Sequence, residues 1–265
     1  MEQHFILIGT PKSGSSSLYK FLNDHPQTAL SKVKEYNFFM DMGYDWNKQD
    51  KTIRLKKRMA FSLGYLLPFV KKRIIKHYYK SCYKVNNKVS GDGSICYFYF
   101  PEVPKRIKFY VPESKLILML RNPIDRLFSN YWMHYKAQKK RLDWDWKWES
   151  FEHFIEEGGH IKEINHYSVS FKRWLKYFTL NDILIITSED FYSKPHEILK
   201  IIENYLGLKN YDYKKEYWIS PHSTRGNEYP EMKAKTRKYL TDYFKPYIKE
   251  LEFLSNKRFN WVEFD

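Results

Sequence analysis

The sequence predicts an α/β fold, a central parallel sheet flanked by helices. Three observations predict it. Short apolar runs of strand length stand at residues 4–8, 115–120 and 183–187, and such runs suit parallel strands buried on both faces. Behind each run, apolar residues recur at helical spacing. Strands that alternate with helices assemble as a parallel sheet with crossovers covering both sides. At 265 residues and 43% hydrophobic content the chain can bury one good core, so a single domain over 1–265 is expected.

The first run, His4-Phe5-Ile6-Leu7-Ile8, stops at Gly9. After Gly9-Thr10-Pro11-Lys12-Ser13-Gly14, the residues Leu18, Phe21 and Leu22 mark a helix that His25-Pro26 ends. A short strand-like stretch follows at 28–33. Residues 43–88 are basic and lack a clear strand, which predicts a helical insertion on the core. The second run passes Arg121 and enters a helix that Asn122 caps, with Pro123 in its first turn. The third precedes a helix opened by Ser193 and Pro195, carrying Ile198, Leu199, Ile201, Ile202 and Leu206, and closed by Gly207. From Tyr229-Pro230 to Leu254 the pattern is amphipathic and helical. Phe259, Trp261 and Phe264 beyond it are expected to fold back onto the core.

Composition bounds the function classes. The net charge of +15 is concentrated in residues 48–88, where thirteen Lys and Arg face the single acid Asp50; elsewhere 33 basic residues face 30 acidic ones. A concentrated positive field favours anionic partners: phosphates, acidic glycans, nucleic acid or a membrane surface. Three readings of 48–88 stand open: cations around an acidic acceptor, a peripheral membrane element with 59–70 in the headgroups, or a solvated helical face. The longest uncharged stretch, 59–70, contains Gly64 and Pro68 and falls short of the roughly 20 apolar residues of a membrane span. Met1 to Ile8 run straight into a strand pattern, so no export signal is predicted. Two cysteines, Cys82 and Cys96, build neither a disulfide framework nor a four-cysteine zinc site, and a reducing cytoplasm is expected. The nine histidines form no HExxH and no glycine-rich calcium loop occurs, so no metal is expected. Trp144, Trp146 and Trp148 alternate with Asp143, Asp145 and Lys147; such residues stack on sugar rings or, more often, belong to a core or helix surface.

The loop after the first strand carries the chemistry. A strand running into Gly-x-x-Lys-x-Gly-Ser-Ser-Ser and then a helix gathers backbone N–H groups, a helix N-terminus and an ammonium around one point, an anion cradle of P-loop type. Glycines permit close backbone approach, and the hydroxyls of Ser13, Ser15, Ser16 and Ser17 donate hydrogen bonds. A nucleoside triphosphate loop reads Gly-x-x-x-x-Gly-Lys-Ser/Thr. Here the glycine spacing fits, but Lys12 precedes Gly14 by two places. A magnesium-binding Asp at a strand end is also missing, since Arg121 follows Leu120; Ser188-Glu189-Asp190 after residues 183–187 is a weak exception.

On these residues the chain resembles the sulfotransferases that use 3′-phosphoadenosine 5′-phosphosulfate (PAPS), closest to the heparan sulfate branch. The resemblance implies that Thr10-Pro11-Lys12-Ser13-Gly14-Ser15-Ser16-Ser17 grips the 5′-phosphosulfate, with Lys12 on the transferring group. It implies that Arg121 and Ser129, within Arg121-Asn122-Pro123-Ile124-Asp125-Arg126-Leu127-Phe128-Ser129-Asn130-Tyr131, bind the 3′-phosphate. An arginine fork at a strand end beside a helix N-terminus suits a dianion. The segment Arg173-Trp174-Leu175-Lys176-Tyr177-Phe178 looks like a helix of the family. Thr224-Arg225-Gly226-Asn227-Glu228-Tyr229-Pro230 resembles its loop over the 3′-phosphate and adenine, with Arg225 and Gly226 matching and Asn227 replacing a frequent arginine.

Lys34-Glu35-Tyr36-Asn37-Phe38-Phe39 resembles Lys-Glu-x-His-Phe-Phe, which puts Glu35 at the family's general base. Asn37 departs from the histidine, and Asp41 is displaced by two from a family aspartate. A lysine near the transferring group in the heparan enzymes falls where this chain has Gly93, so that role is vacant or supplied from elsewhere, such as the basic insertion. The activity implied is sulfuryl transfer from PAPS, with PAP as product, to a hydroxyl or amine of a carbohydrate or other polar, possibly acidic, acceptor. The rival from the same fold class is a P-loop nucleotide-dependent kinase. A nucleic-acid binder lacks any recognised reading motif, so no specific nucleic acid is expected.

Overall fold

A computed structural model describes residues 3–31, 34–40, 68–80, 89–138, 148–157, 162–213 and 230–265. Its strands are β1 (His4–Gly9), β2 (Thr28–Leu30), β3 (Val89–Asp92), β4 (Lys115–Leu120) and β5 (Ile183–Thr187). They form one sheet in the order β2-β3-β1-β4-β5, every neighbouring pair parallel. The three apolar runs of the sequence are thus adjacent strands, β1 beside β4 beside β5.

Strand β3 escapes the sequence pattern. Only four residues long, it reads Val-Ser-Gly-Asp, and Gly and Asp are depleted in strands. Gly91 is there because nothing larger fits: a Cβ would lie 2.2 Å from the Phe5 ring and 2.5 Å from Leu30. Close strand approach is a recognised use of glycine within a sheet.

The helices are α1 (Ser15–Asp24), α2 (Pro68–Lys80), α3 (Val103–Tyr110), α4 (Pro123–Gln138), α5 (Phe151–Glu157), α6 (Tyr167–Leu175), α7 (Ser188–Ser193), α8 (Pro195–Leu206) and α9 (Ala234–Ser255). Alternate strand residues feed two cores. Ile6, Ile8, Leu116, Leu118, Leu120 and Ile185 meet Ile75 of α2, Leu127 of α4, Phe171 and Trp174 of α6, and Leu240 and Phe244 of α9. Phe5, Leu7, Ile117, Met119 and Ile186 meet Leu18, Phe21 and Leu22 of α1 and Leu199, Ile202 and Leu206 of α8. Period-two alternation therefore buries both faces of the sheet.

Boundaries shift modestly from the sequence reading. Helix α8 opens at Pro195 and closes at Gly207, whose φ of 65° supplies the left-handed cap; Ser193 instead ends the short α7. Helix α9 begins at Ala234, four residues after Pro230, and accommodates Pro246 internally. Phe259, Trp261 and Phe264 are buried against the first core, as expected. Of the basic insertion, 68–80 is helical, while 43–67 and 81–88 lie outside the described residues. Among the described residues no helix is long and apolar enough to cross a membrane.

Candidate functional site

From β1 the chain runs outward to β2 and β3, then returns to β4 on the other side of β1. The strand order thus reverses between β1 and β4, and open α/β sheets bind ligands in the crevice at the carboxyl ends of the strands there. Residues 10–14 and Arg121 emerge from those two ends.

The loop is clamped from behind. Thr10 N–H donates to the Met119 carbonyl at 2.7 Å, its hydroxyl donates to the same oxygen at 3.1 Å, and the Ser13 hydroxyl pairs with it at 2.5 Å. Arg126 Nε donates to the Pro11 carbonyl at 2.9 Å and Arg121 Nη1 to the Lys12 carbonyl at 3.2 Å. Two successive loop carbonyls are thereby turned toward arginines. Lys12 and Gly14 both take left-handed backbone, φ 66° and 84°, a conformation that curls a loop into an anion-binding concavity. A Cβ at Gly14 would also come 2.8 Å from the Tyr192 hydroxyl, which would have to shift. No side chain caps α1, and its first turn holds no acid. The positive end of the helix therefore faces the crevice unneutralised.

The predicted 3′-phosphate ligands flank this cradle. Arg121 stands at the end of β4, its carbonyl accepting from Tyr167 OH at 2.9 Å, while Ser129 is buried one and a half turns into α4. Asn122 caps α4 as predicted, its Oδ1 accepting from Ile124 N–H at 3.0 Å. Arg126, quoted in the sequence only as a motif position, proves to be a buried clamp: it lies over the rings of Tyr99 and Tyr167 and donates to Asn165 Oδ1. Burial pushes the Tyr167 phenol up to about 12, against the opposing pull of Arg126. Arg225 and Gly226 lie outside the described residues.

Joined to the loop through Lys34 is the Glu35 segment. Glu35 has φ 70° and Asn37 φ 49°, left-handed positions that non-glycine residues keep only when their surroundings enforce it. The enforcement is visible. Asn37 N–H donates to Ser94 Oγ at 2.9 Å, Ser94 donates to Asp92 Oδ1 at 2.6 Å, and Tyr79 of α2 donates to Asp92 Oδ2 at 3.0 Å. Phe39 N–H donates to Tyr97 OH at 3.1 Å, and Arg106 holds the Phe39 carbonyl at 2.7 Å. Because the pin at residue 37 is a backbone N–H, Asn37 serves it without a histidine.

Glu35 itself is part-exposed, and Lys34 joins it to the loop: Lys34 Nζ donates to Ser16 Oγ at 2.8 Å and to Glu35 Oε1 at 3.2 Å. That link was not legible in the sequence, where Lys34 read only as a motif neighbour. Gly93 leaves room for it, since a Cβ there would lie 2.6 Å from the Tyr19 ring and 3.3 Å from Lys34 Cγ. Two further groups border the site. Burial, reinforced by the Glu35 charge, pushes the Cys96 thiol up to about 12. Burial, then the nearby Lys12 ammonium, pulls His134 below the usual imidazole range.

The carboxyl-terminal tail braces the same junction. Glu189 accepts from Asn122 N–H at 3.0 Å and from Trp261 Nε1 at 3.0 Å, so this acid is engaged with protein donors. Asn122 Nδ2 donates to Glu263 at 2.6 Å, and Arg237 pairs with Asp125 at 2.7 Å and with Glu263. Trp148 is half-buried against the first core, edge-on to His153 and Phe154, in line with the core reading; Trp144 and Trp146 lie outside the described residues.

A family profile described as "Sulfotransferase domain" matches residues 2–251. The bifunctional heparan sulfate N-deacetylase/N-sulfotransferase 4 of Mus musculus is 24% identical over 96% of this chain, and the chain spans 30% of that protein. Heparan sulfate glucosamine 3-O-sulfotransferase 3B1 of Mus musculus is 24% identical over 97% of this chain, which spans 64% of it. Among solved structures, a sulfotransferase from Alicyclobacillus acidocaldarius superposes with a TM-score of 0.69 at 23% identity, covering 98% of both chains. A mouse sulfotransferase complexed with PAP superposes with a TM-score of 0.53 at 14% identity, covering 96% of this chain and 90% of that one.

Proposed function

The chain belongs to the sulfotransferase domain family, and from that premise we propose that it moves the sulfuryl group of PAPS to a hydroxyl or amine of a carbohydrate or similar polar acceptor. The observation that carries this reading is the clamped, uncapped loop joined through Lys34 to a carboxylate held in left-handed backbone. The loop amides, Lys12 and the serine hydroxyls take the 5′-phosphosulfate. Arg121 and Ser129, with Arg225 and Gly226, take the 3′-phosphate and adenine side. An acceptor oxygen attacks sulfur in line, the bond from sulfur to the 5′-phosphate oxygen breaks, and PAP leaves with that electron pair. Glu35 receives the acceptor proton. Positioning and charge stabilisation do most of the work in such transfers, as in phosphoryl transfer.

The carbohydrate acceptor rests on the relatives named for heparan sulfate and on the positive charge of residues 48–88. That insertion belongs, in this reading, to one domain spanning 1–265. The 3′-phosphate gives a sharp test. In thermal melts without magnesium, PAP raises the melting temperature more than 5′-AMP does, and Arg121→Ala removes most of the difference. At about 100 times Kd a ligand adds about 2.7 kcal/mol, which shifts a domain of this size by several degrees. Equal shifts with PAP and 5′-AMP in the unaltered protein contradict the assignment.

A further inference from the structure

We infer that Lys34 is the sulfonate-recognising cation of this site, the residue that tells the loaded donor PAPS from the spent product PAP; the inference rests on the donor assignment above. Its ammonium is anchored between two groups of the proposed site: the hydroxyl of Ser16, in the first turn of α1, and the carboxylate of Glu35. A loop serine and the proposed base are thereby 2.8 and 3.2 Å from one nitrogen. Any anionic group seated on the amino end of α1 comes within reach of that ammonium.

The side chain is held along its stem as well as at its head. Only 23% of it is exposed, its Cγ runs beside Gly93, and any side chain at 93 would collide with Tyr19. Tyr19 is held in turn by its hydroxyl, which donates to the Ser31 carbonyl at 2.8 Å. The aliphatic stem is thus confined while the head donates to Ser16 and Glu35.

The pair with Glu35 is an exchangeable contact. Partly exposed ion pairs between flexible side chains contribute little, so the ammonium gives up the carboxylate readily for a better anion. A sulfonate at Ser16 is that anion in PAPS; PAP has none beyond its 5′-phosphate. On donor binding Lys34 moves its charge from Glu35 to the sulfonate, and the carboxylate is released to accept the acceptor proton. Lys34 then also opposes the negative charge that develops between sulfur and the leaving oxygen.

The test needs no acceptor. Isothermal titration calorimetry measures PAPS and PAP binding to the unaltered protein and to Lys34→Met, which keeps the stem and removes the charge. The expected result is that Lys34→Met weakens PAPS about tenfold while PAP stays within about twofold, and that Lys34→Arg keeps most of the preference. A PAPS-to-PAP affinity ratio in Lys34→Met equal to that of the unaltered protein overturns the inference. Should the unaltered protein bind neither nucleotide, the donor assignment itself fails, a different outcome from losing Lys34 alone. Circular dichroism of both variants checks that the fold is intact.

Discussion

At the residue scale, Lys12 in the loop and Glu35, joined to that loop through Lys34 and Ser16, each hold left-handed backbone. Neither conformation is one the side chain prefers, and positions of this kind persist where the surroundings dictate them. Lys12→Ala removes a full charge from the proposed anion cradle, and Glu35→Gln removes the proposed proton acceptor while keeping shape. Each is expected to lower turnover of PAPS at least about a hundredfold, as loss of charge stabilisation or of a general base does. Steady-state assays of PAP release check this, and near-normal turnover in either variant refutes the role given to that residue. Lys12, Arg121 and Glu35 were singled out in the sequence because each sits in a motif whose spacing has meaning. Lys34 and Arg126 were not, because the contacts that tie them to the loop reach partners 18 and 115 residues away. No local pattern reports such distances.

At the scale of elements, strand β3 joins the base segment to the rest of the sheet. Asp92 at its end is fully buried and accepts from both Tyr79 and Ser94, so α2, β3 and the segment carrying Glu35 share one hydrogen-bond network. His4 of β1 extends it, pairing with Tyr79 at 2.9 Å and with Ser90 at 2.7 Å. Gly91 sits at the tightest point of that sheet. Gly91→Ala drives a methyl into Phe5 and Leu30 and is expected to destabilise by about 1–3 kcal/mol, the range for overpacking a filled core. Urea denaturation checks this; a cost below about 0.5 kcal/mol shows that the strands can spread. The apolar strands β1, β4 and β5 announced themselves by composition. Strand β3 did not, because its place is fixed by a missing side chain and a buried acid rather than by apolar surface. Cap residues were clearer: Asn122 and Gly207 both act where the sequence put them.

At the scale of the whole molecule, charge and burial set a pH profile. His134 and His166 are both held below the ordinary imidazole value of 6.5, chiefly by burial. The unfolded chain therefore binds more protons than the folded one as pH falls through 6.5, and stability falls with it. Melting temperature is expected to stay level from about pH 8 to 7 and to decline below about 6.5. Replacing both histidines with glutamine reduces that decline. The acid Glu152, held below its ordinary value although burial opposes its Thr236 and Lys233 contacts, loses its contribution only at pH below about 4.5, outside this window. A decline of unchanged steepness in the double variant contradicts the assignment.

The arrangement of the whole sheet, its order reversing between β1 and β4 just where the cradle and Arg121 emerge, was readable as a fold class but not as a strand order. In the proposed function, all of it serves a pocket for a sulfated nucleotide rather than a triphosphate. Calorimetric titration with PAP in the absence of magnesium, beside ATP with magnesium, tests that most directly. Micromolar or tighter PAP binding with weak or undetectable ATP–Mg²⁺ binding is the predicted result. Tight ATP–Mg²⁺ binding with no PAP signal would contradict it.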